Sequence, residues 1–448
     1  MSNVAEAKTV EAVAAQVQRT RTASRTLARL SADQRNQILL KAADLLEARA
    51  EEILKANQQD CAALEATLEQ EIQQNKSSAP LLKRLRTSAA GIKDMARQIR
   101  DVAAMEDPLG KRLAATELDD GLMLDKVSCP LGVVAVIFES RPDVVPQVGS
   151  LAIKTGNGLV LKGGAEARLT NRVLVSIWHE ALASVKPNLA DAICALEDRA
   201  DVARILEMDR DIDLVVPRGS AEFVNYVFRN SRIPVLGHGS GVCHIYVDGE
   251  ADLSRATNVI LDSKTQYSAA CNSAEKALVH EAIASQYLPS LVQALQSAGV
   301  EVRGCERTAQ LCHGLKIVPA TEEDWHTEYG DLIITIKVVV DLNEAIAHIN
   351  QFGSRHTDCI LTENAAAAEQ FMDEVDAASV FHNASTRFAD GFRYGLGAEL
   401  GISNSKLHAR GPVGLEGLLT YKYKLRGSGQ TVSSYANGSK SFKHKRMS

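Results

Sequence analysis

The chain has 448 residues, a formal net charge of −6 and 45% hydrophobic residues. That length buries a large core in two or more domains, and the ordinary hydrophobic content argues against disorder. The mild acidity gives no reason to expect nucleic acid as a partner, and no run approaches the roughly 18 apolar residues of a membrane span.

The N-terminus lacks the apolar core of a signal peptide. Arg19 to Arg29 is rich in Arg, Ser and Thr like a transit peptide, but Glu6 and Glu11 precede it and the pattern continues as helix. A cytoplasmic location is expected. The eight cysteines form no C-x-x-C pair and none sits with histidine at zinc-ligand spacing, so reduced thiols and no metal site are expected.

Residues 31–60 read as one amphipathic helix. Ser31 and Gln34 make a capping box at its start, and Ile38, Leu39, Ala42, Leu45, Leu46, Ile53 and Leu54 form its apolar stripe. A second helical stretch covers 80–102. Asp120-Gly121 then signals a hairpin between two short strands, a candidate interface arm.

From Gly132 the rhythm becomes strand, turn, helix. Strands are expected at 132–138, 158–162 and 212–216, each followed by a turn and a helix. Such alternation predicts a parallel sheet, which collects ligands at the carboxyl ends of its strands. Lys162, Gly163, Gly164, Arg218, Gly219 and Ser220 fall at such ends. No G-x-G-x-x-G follows a strand, so the usual dinucleotide fingerprint is absent. Further strands at 242–247, 332–340 and 358–362 predict a second α/β domain. Leu419 to Arg426 alternates with period two and suits a strand pairing with another element or subunit. The basic run Lys440 to Arg446 reads as a solvated tail.

Cys271 sits in Ser-Ala-Ala-Cys-Asn-Ser-Ala, whose small side chains leave a thiol open to a planar acyl group. Asn272 adds an amide or backbone N–H for an oxyanion. On the local sequence alone, a buried structural thiol fits as well. Lys162 before two glycines suits a cofactor phosphate or ribose, or a plain surface lysine. Arg141, Arg387 and Arg410 lie in turn-like sequences and suit an anionic substrate, with His408 beside Arg410. His238 reads as a loop histidine.

Taken together, Phe138-Glu-Ser-Arg-Pro-Asp143, Lys154-Thr-Gly-Asn-Gly158, Leu161-Lys-Gly-Gly164, Gly241-Val-Cys-His-Ile-Tyr-Val-Asp248, Ala270-Cys-Asn272, Asn383-Ala-Ser-Thr-Arg-Phe388 and Lys406-Leu-His-Ala-Arg-Gly-Pro412 resemble the gamma-glutamyl phosphate reductase family, in the aldehyde dehydrogenase superfamily. The resemblance runs in order from about residue 10 to 430. It implies an aldehyde dehydrogenase-like α/β fold: two parallel-sheet domains plus a small β oligomerisation arm. The implied boundaries are 1–115 and 132–240 for the NADP-binding domain, 241–415 for the catalytic domain, and 116–131 with 416–435 for the arm, leaving 436–448 as tail.

The implied reaction is NADPH-dependent reduction of L-glutamyl 5-phosphate to glutamate 5-semialdehyde and phosphate, on the route to proline. Cys271 would carry the acyl group as a thioester. Lys162 matches the lysine that holds the adenosine ribose or 2′-phosphate, and Glu328 matches the glutamate on the nicotinamide ribose. The resemblance also implies a homo-oligomer and coupling to a separate glutamate 5-kinase, since plants fuse the two and this chain has no residues left for a kinase. Residues 233–247 lack the carboxylate base of hydrolytic relatives, which favours acyl exchange with phosphate. Departures are Ser268 where relatives usually have Pro, Ser273 to Lys276, and His382 where they often have Trp.

Overall fold

The computed structural model describes residues 2–72 and 79–447. Two all-parallel sheets dominate, with a separate antiparallel sheet beside them.

The hairpin strands β1 (Arg112–Asp119) and β2 (Leu122–Pro130) pair antiparallel across Asp120-Gly121. Leu419–Arg426 pairs along β2 over its whole length. The basic tail does not run free, because Lys445–Met447 pairs with β1 and adds a fourth strand. Tyr421, Tyr423 and Leu425 stay exposed on the outermost strand.

The first parallel sheet holds β3 (Val133–Phe138), β4 (Gly158–Gly163), β5 (Ile193–Leu196) and β6 (Leu214–Arg218), in the order β5-β4-β3-β6. Every residue of β3 is buried, as a strand covered by helices on both faces requires. The four-residue β5 was not foreseen, being too short to show periodicity. β6 begins two residues later than the sequence predicts. Asp213 is held at its mouth, where its carboxylate accepts from Val133 N–H at 2.8 Å and from Arg21 at 2.9 Å.

The long helix expected over 31–60 is two, Ala32–Ala48 and Ala50–Ile72. The Ser31–Gln34 capping box forms. Arg49 leaves helical geometry and turns its guanidinium to Glu52 and Ser176. The helix expected over 80–102 is likewise split into Ala79–Leu85 and Ala89–Ala104, the second capped by Ser88.

Much of the Lys154-Thr-Gly-Asn-Gly motif is structural. The buried Lys154 Nζ donates to Asn36 Oδ1, Ala103 O and Met105 O at 2.9, 2.8 and 2.6 Å, tying three helical segments together. Asn157 joins β3 to the arm by accepting from Gly132 N–H and donating to Leu418 O, both at 2.8 Å.

The second sheet contains β7 (Cys243–Val247), β8 (Ala274–His280), β9 (Glu301–Gly304), β10 (Val318–Pro319), β11 (Ile333–Val339), β12 (Thr357–Leu361) and β13 (Ser379–His382), in the order β10-β9-β11-β8-β7-β12-β13. Its central strands β8, β7 and β12 are neighbours. Among the described residues no helix is long and apolar enough to cross a membrane.

Candidate active site

The site lies between the carboxyl ends of the first sheet and the amino ends of β8, β7 and β12. Cys271 stands in the turn just before β8, the turn 237–241 just before β7, and His356 just before β12.

Cys271 is half-buried and all eight cysteines are unpaired thiols. Its turn is closed by Ser273 N–H donating to Ala270 O at 2.8 Å. Cys243 Sγ donates to the Cys271 carbonyl at 3.3 Å, and burial pushes the Cys243 thiol well above its ordinary range. The Asn272 side-chain amide donates to Ala389 O at 2.7 Å and pins the turn. The backbone N–H groups of Cys271 and Asn272 have no acceptor among the described residues, which leaves them available to an oxyanion.

Behind the turn lies a buried ionic cluster that periodicity could not reveal. Lys264 Nζ meets Glu275 Oε2 at 3.0 Å, both fully buried. Lys276 Nζ donates to Thr327 O at 2.8 Å and lies 4.3 Å from the Tyr329 ring centre. Burial raises the pKa of Glu275 and lowers that of Lys276.

Arginines gather on the open side. Arg387 is buried, with Nε donating to Gln266 Oε1 at 2.9 Å. Burial and then Arg393 lower its pKa, while charge on Cys271 opposes them. Arg218 Nη1 donates to Gln147 Oε1 at 3.0 Å. Burial and then Arg141 push Arg218 down to about 10, with Glu399, Asp143 and Cys271 acting the other way. Arg218, at the strand end where the sequence places a cofactor contact, is thus also within electrostatic reach of Arg141 and Cys271. Arg141 is exposed and 3.3 Å from Asp143.

Arg410 and His408 lie on a loop that follows Gly401–Ser403, whose Ile402 O holds His238 Nδ1 at 2.8 Å. Arg410 pairs with Asp376 at 2.8 Å, and Lys406 and Arg355 approach the same carboxylate at 2.7 and 3.5 Å. Three cations around one carboxylate leave a net positive patch. His408 is exposed.

Lys162, the penultimate residue of β4, is buried, with Nζ donating to Gly163 O at 2.6 Å. Burial lowers its pKa against the pull of Asp201 and Glu166. Gly163 and Gly164 line a cleft with Arg168, Asn171 and Arg172. A Cβ on Gly163 would meet Asn171 Nδ2 at 2.3 Å, and one on Gly164 would meet Glu166 Oε1 at 2.0 Å. A side chain at either position would have to displace the tip of Asn171 or Glu166. Arg168 and Arg172 were not singled out from sequence, since their basic charge is ordinary on a helix. Ser220 caps the helix Ala221–Asn230 and, with Gly219, is exposed beside the first sheet. Glu328 reaches the Cys271 region, where its Oε2 accepts from Gly241 N–H at 2.8 Å. His382 Nε2 lies 2.9 Å from Thr362 O, away from the nucleophile turn.

Two histidines complete the site. His238 and His356 pack edge to face with ring centres 5.0 Å apart. A nitrogen of each and the Cys271 sulfur all lie within 4.8 Å of one another. Sequence spacing missed this cluster because its members come from three separate strand entrances.

The chain matches the Aldehyde dehydrogenase family over residues 1–310. It is 52% identical over 427 residues to gamma-glutamyl phosphate reductase of Acetivibrio thermocellus, covering 95% of this chain and 96% of that protein. The chain belongs to the gamma-glutamyl phosphate reductase family. A second member, from Cyanothece, is 52% identical over 429 residues, 95% of this chain and 96% of its own length. The crystal structure of gamma-glutamyl phosphate reductase from Thermotoga maritima superposes with a TM-score of 0.88 at 40% identity, covering 94% of this chain and 99% of that one. Beyond the family, glyceraldehyde-3-phosphate dehydrogenase of Methanocaldococcus jannaschii, solved with NADP, shares the fold at 16% identity, with a TM-score of 0.66 and coverage of 94% and 95%.

Proposed function

We propose that the chain reduces L-glutamyl 5-phosphate to L-glutamate 5-semialdehyde and phosphate, the second step from glutamate to proline, through a thioester on Cys271. The observation that carries this reading is the setting of Cys271. Its half-buried thiol stands on a fixed turn with two free N–H donors, beside Arg218 and Arg387. The relatives' name supplies the substrate.

The thiolate attacks the acyl carbon, and the carbon–oxygen bond to phosphate breaks. The Cys271 and Asn272 N–H groups receive the oxyanion. Arg141, Arg218 and Arg387 hold the leaving phosphate, and the patch around Arg410, with His408, takes the substrate carboxylate. The cleft beside Lys162 would hold NADPH, whose chemistry when bound would be hydride donation; as the thioester becomes the aldehyde, its carbon–sulfur bond breaks and the Cys271 thiolate is released. Gly163, Gly164 and Lys162 admit its adenosine half, with Gly219 and Ser220 at the adjoining helix start and Glu328 toward the nicotinamide ribose. Arg168 and Arg172 share the single carboxylate of Glu197 at 3.8 and 2.6 Å, and the net positive charge that remains in the cleft favours a cofactor with a 2′-phosphate. No carboxylate lies in 233–247, and the Glu328 oxygen that reaches Gly241 is held by an N–H, so water is not activated against the thioester.

The same reading assigns β3 to β6 with the N-terminal helices to cofactor binding, β7 to β13 to catalysis, and the antiparallel sheet to assembly. The exposed edge Leu419–Arg426 suits pairing with a second copy. Synthesis of a labile acyl phosphate calls for coupling to a separate glutamate 5-kinase. The test is an assay with glutamate 5-semialdehyde, phosphate and each nicotinamide cofactor. Phosphate-dependent reduction of NADP is expected, abolished by Cys271→Ala in a folded chain. Near-normal turnover by that variant would end the covalent reading.

A further inference from the structure

We propose that His238, Cys271 and His356 form a soft-metal site, and that Zn²⁺ bound there switches the enzyme off reversibly by taking the nucleophilic sulfur. The inhibitory half rests on the reading of Cys271 as nucleophile, while the binding half does not.

Three observations converge. The donor atoms lie within 4.8 Å of one another. His238 Nδ1 lies 2.8 Å from the Ile402 carbonyl, which can only accept, so the ring hydrogen sits on Nδ1 and Nε2 keeps its lone pair. This carbonyl contact is the support that metal-binding histidines ordinarily have. His356 is buried, its Nδ1 is engaged at 2.9 Å by Thr357 Oγ1, and its Nε2 has no partner among the described residues. A buried, unpartnered ring nitrogen is poorly served by the protein alone.

The donor set selects the ion. One thiolate and two imidazoles suit Zn²⁺ and disfavour Mg²⁺ or Ca²⁺, which prefer oxygen. Tetrahedral zinc places such donors about 3.5 Å apart, so they must close by about an ångström. Cys271 is half-buried, and rotation about its Cα–Cβ bond between staggered rotamers supplies that movement while the turn backbone stays fixed. Cys243 is not a fourth ligand, because its sulfur donates to Cys271 O and burial keeps it protonated. The fourth position stays open to water. On binding, the Cys271 S–H bond breaks, the proton leaves to solvent, and a Zn–S bond forms with no change of oxidation state. The thiol is then unavailable to the acyl phosphate.

The test uses the full chain freed of metal with a chelator and titrated with Co²⁺ as spectroscopic stand-in. A thiolate-to-cobalt charge-transfer band should saturate at one ion per chain and vanish when Zn²⁺ displaces it. Zn²⁺ should inhibit turnover, with recovery on adding EDTA. His238→Ala and His356→Ala should each weaken Co²⁺ binding at least tenfold, and Cys271→Ser should remove the band. No band at one equivalent, or unchanged affinity in a folded His238→Ala, would overturn the site. His238 is only half-buried, so that variant guards against misfolding at His356. If Cys271→Ser loses the band yet keeps turnover, the covalent reading fails and the metal site stands.

Discussion

Gly241 lies against Cys271 so closely that a Cβ on residue 241 would come within 1.9 Å of the Cys271 carbonyl oxygen. The Glu328 carboxylate accepts from the Gly241 N–H at 2.8 Å and ties the glycine in place. Gly241→Ala must therefore push the nucleophile turn out of place. Overpacking of this kind costs about 1–3 kcal/mol, and a shift of an ångström at a reacting atom costs roughly 100-fold in rate. Steady-state kinetics beside a melting curve should show kcat falling far more than stability. Full activity in this variant would mean that the turn tolerates displacement.

The Lys264–Glu275 pair anchors the far side of the same turn. Removing one partner leaves a charge buried and unpaired, at a cost of about 3–5 kcal/mol. Lys264→Met alone should show this loss by chemical denaturation. Lys264→Met with Glu275→Met should recover part of it, because the stranded carboxylate is gone. If the loss in the double variant equals the sum of the losses from Lys264→Met and from Glu275→Met alone, the residues do not act as a pair.

Much of this architecture can be read from the sequence, and apart from the very short β5 the exceptions depend on partners distant in the chain. The buried run Val133–Phe138, the Ser31–Gln34 cap and the Asp120-Gly121 hairpin are local signals, and each appears in place. The breaks at Arg49 and before Ser88 depend on partners distant in sequence, Ser176 and Asn57, and periodicity does not see them. The same holds at the site. Cys271 and Lys162 stand out by their small or glycine neighbours. His238 and His356 carry no such local mark and become neighbours of Cys271 only when β7, β8 and β12 align. The rule that ligands gather at carboxyl ends of strands also points only to the first sheet, whereas the second sheet contributes its amino ends.

The arginines separate into two groups with different expected effects. Arg387 and Arg218 are held by neutral glutamine oxygens, so their charge is free for an anion. Arg387→Met should raise KM for the acyl phosphate by roughly 10- to 100-fold, the value of one charge-assisted hydrogen bond, with a smaller change in kcat. Arg410 shares Asp376 with Lys406 and Arg355. Arg410→Met should raise KM less, because two cations of the patch remain. Equal effects from the two substitutions would contradict this division.

His348 gives the fold a defined response to acid. The ring is buried, 4.5 Å from Phe352 and 5.3 Å from Trp325 between ring centres, and Lys337 Nζ lies 3.3 Å from Nδ1. Burial foremost, then His244, Lys337, Lys276 and His326, push its pKa from 6.5 down to about 3. The folded state therefore keeps the ring neutral where the unfolded chain would protonate it. The unfolded state binds more protons between those two values, so stability is complete above pH 6.5 and is lost as pH falls toward 3. The slope cannot exceed about 1.4 kcal/mol per pH unit for one group. His348→Phe keeps an aromatic ring beside Phe352 and Trp325 and removes the titration. Denaturation midpoints measured at several values from pH 7 to 5 should fall less steeply for the variant than for the natural chain. Parallel slopes would show that carboxylates, and not His348, govern the acid limb.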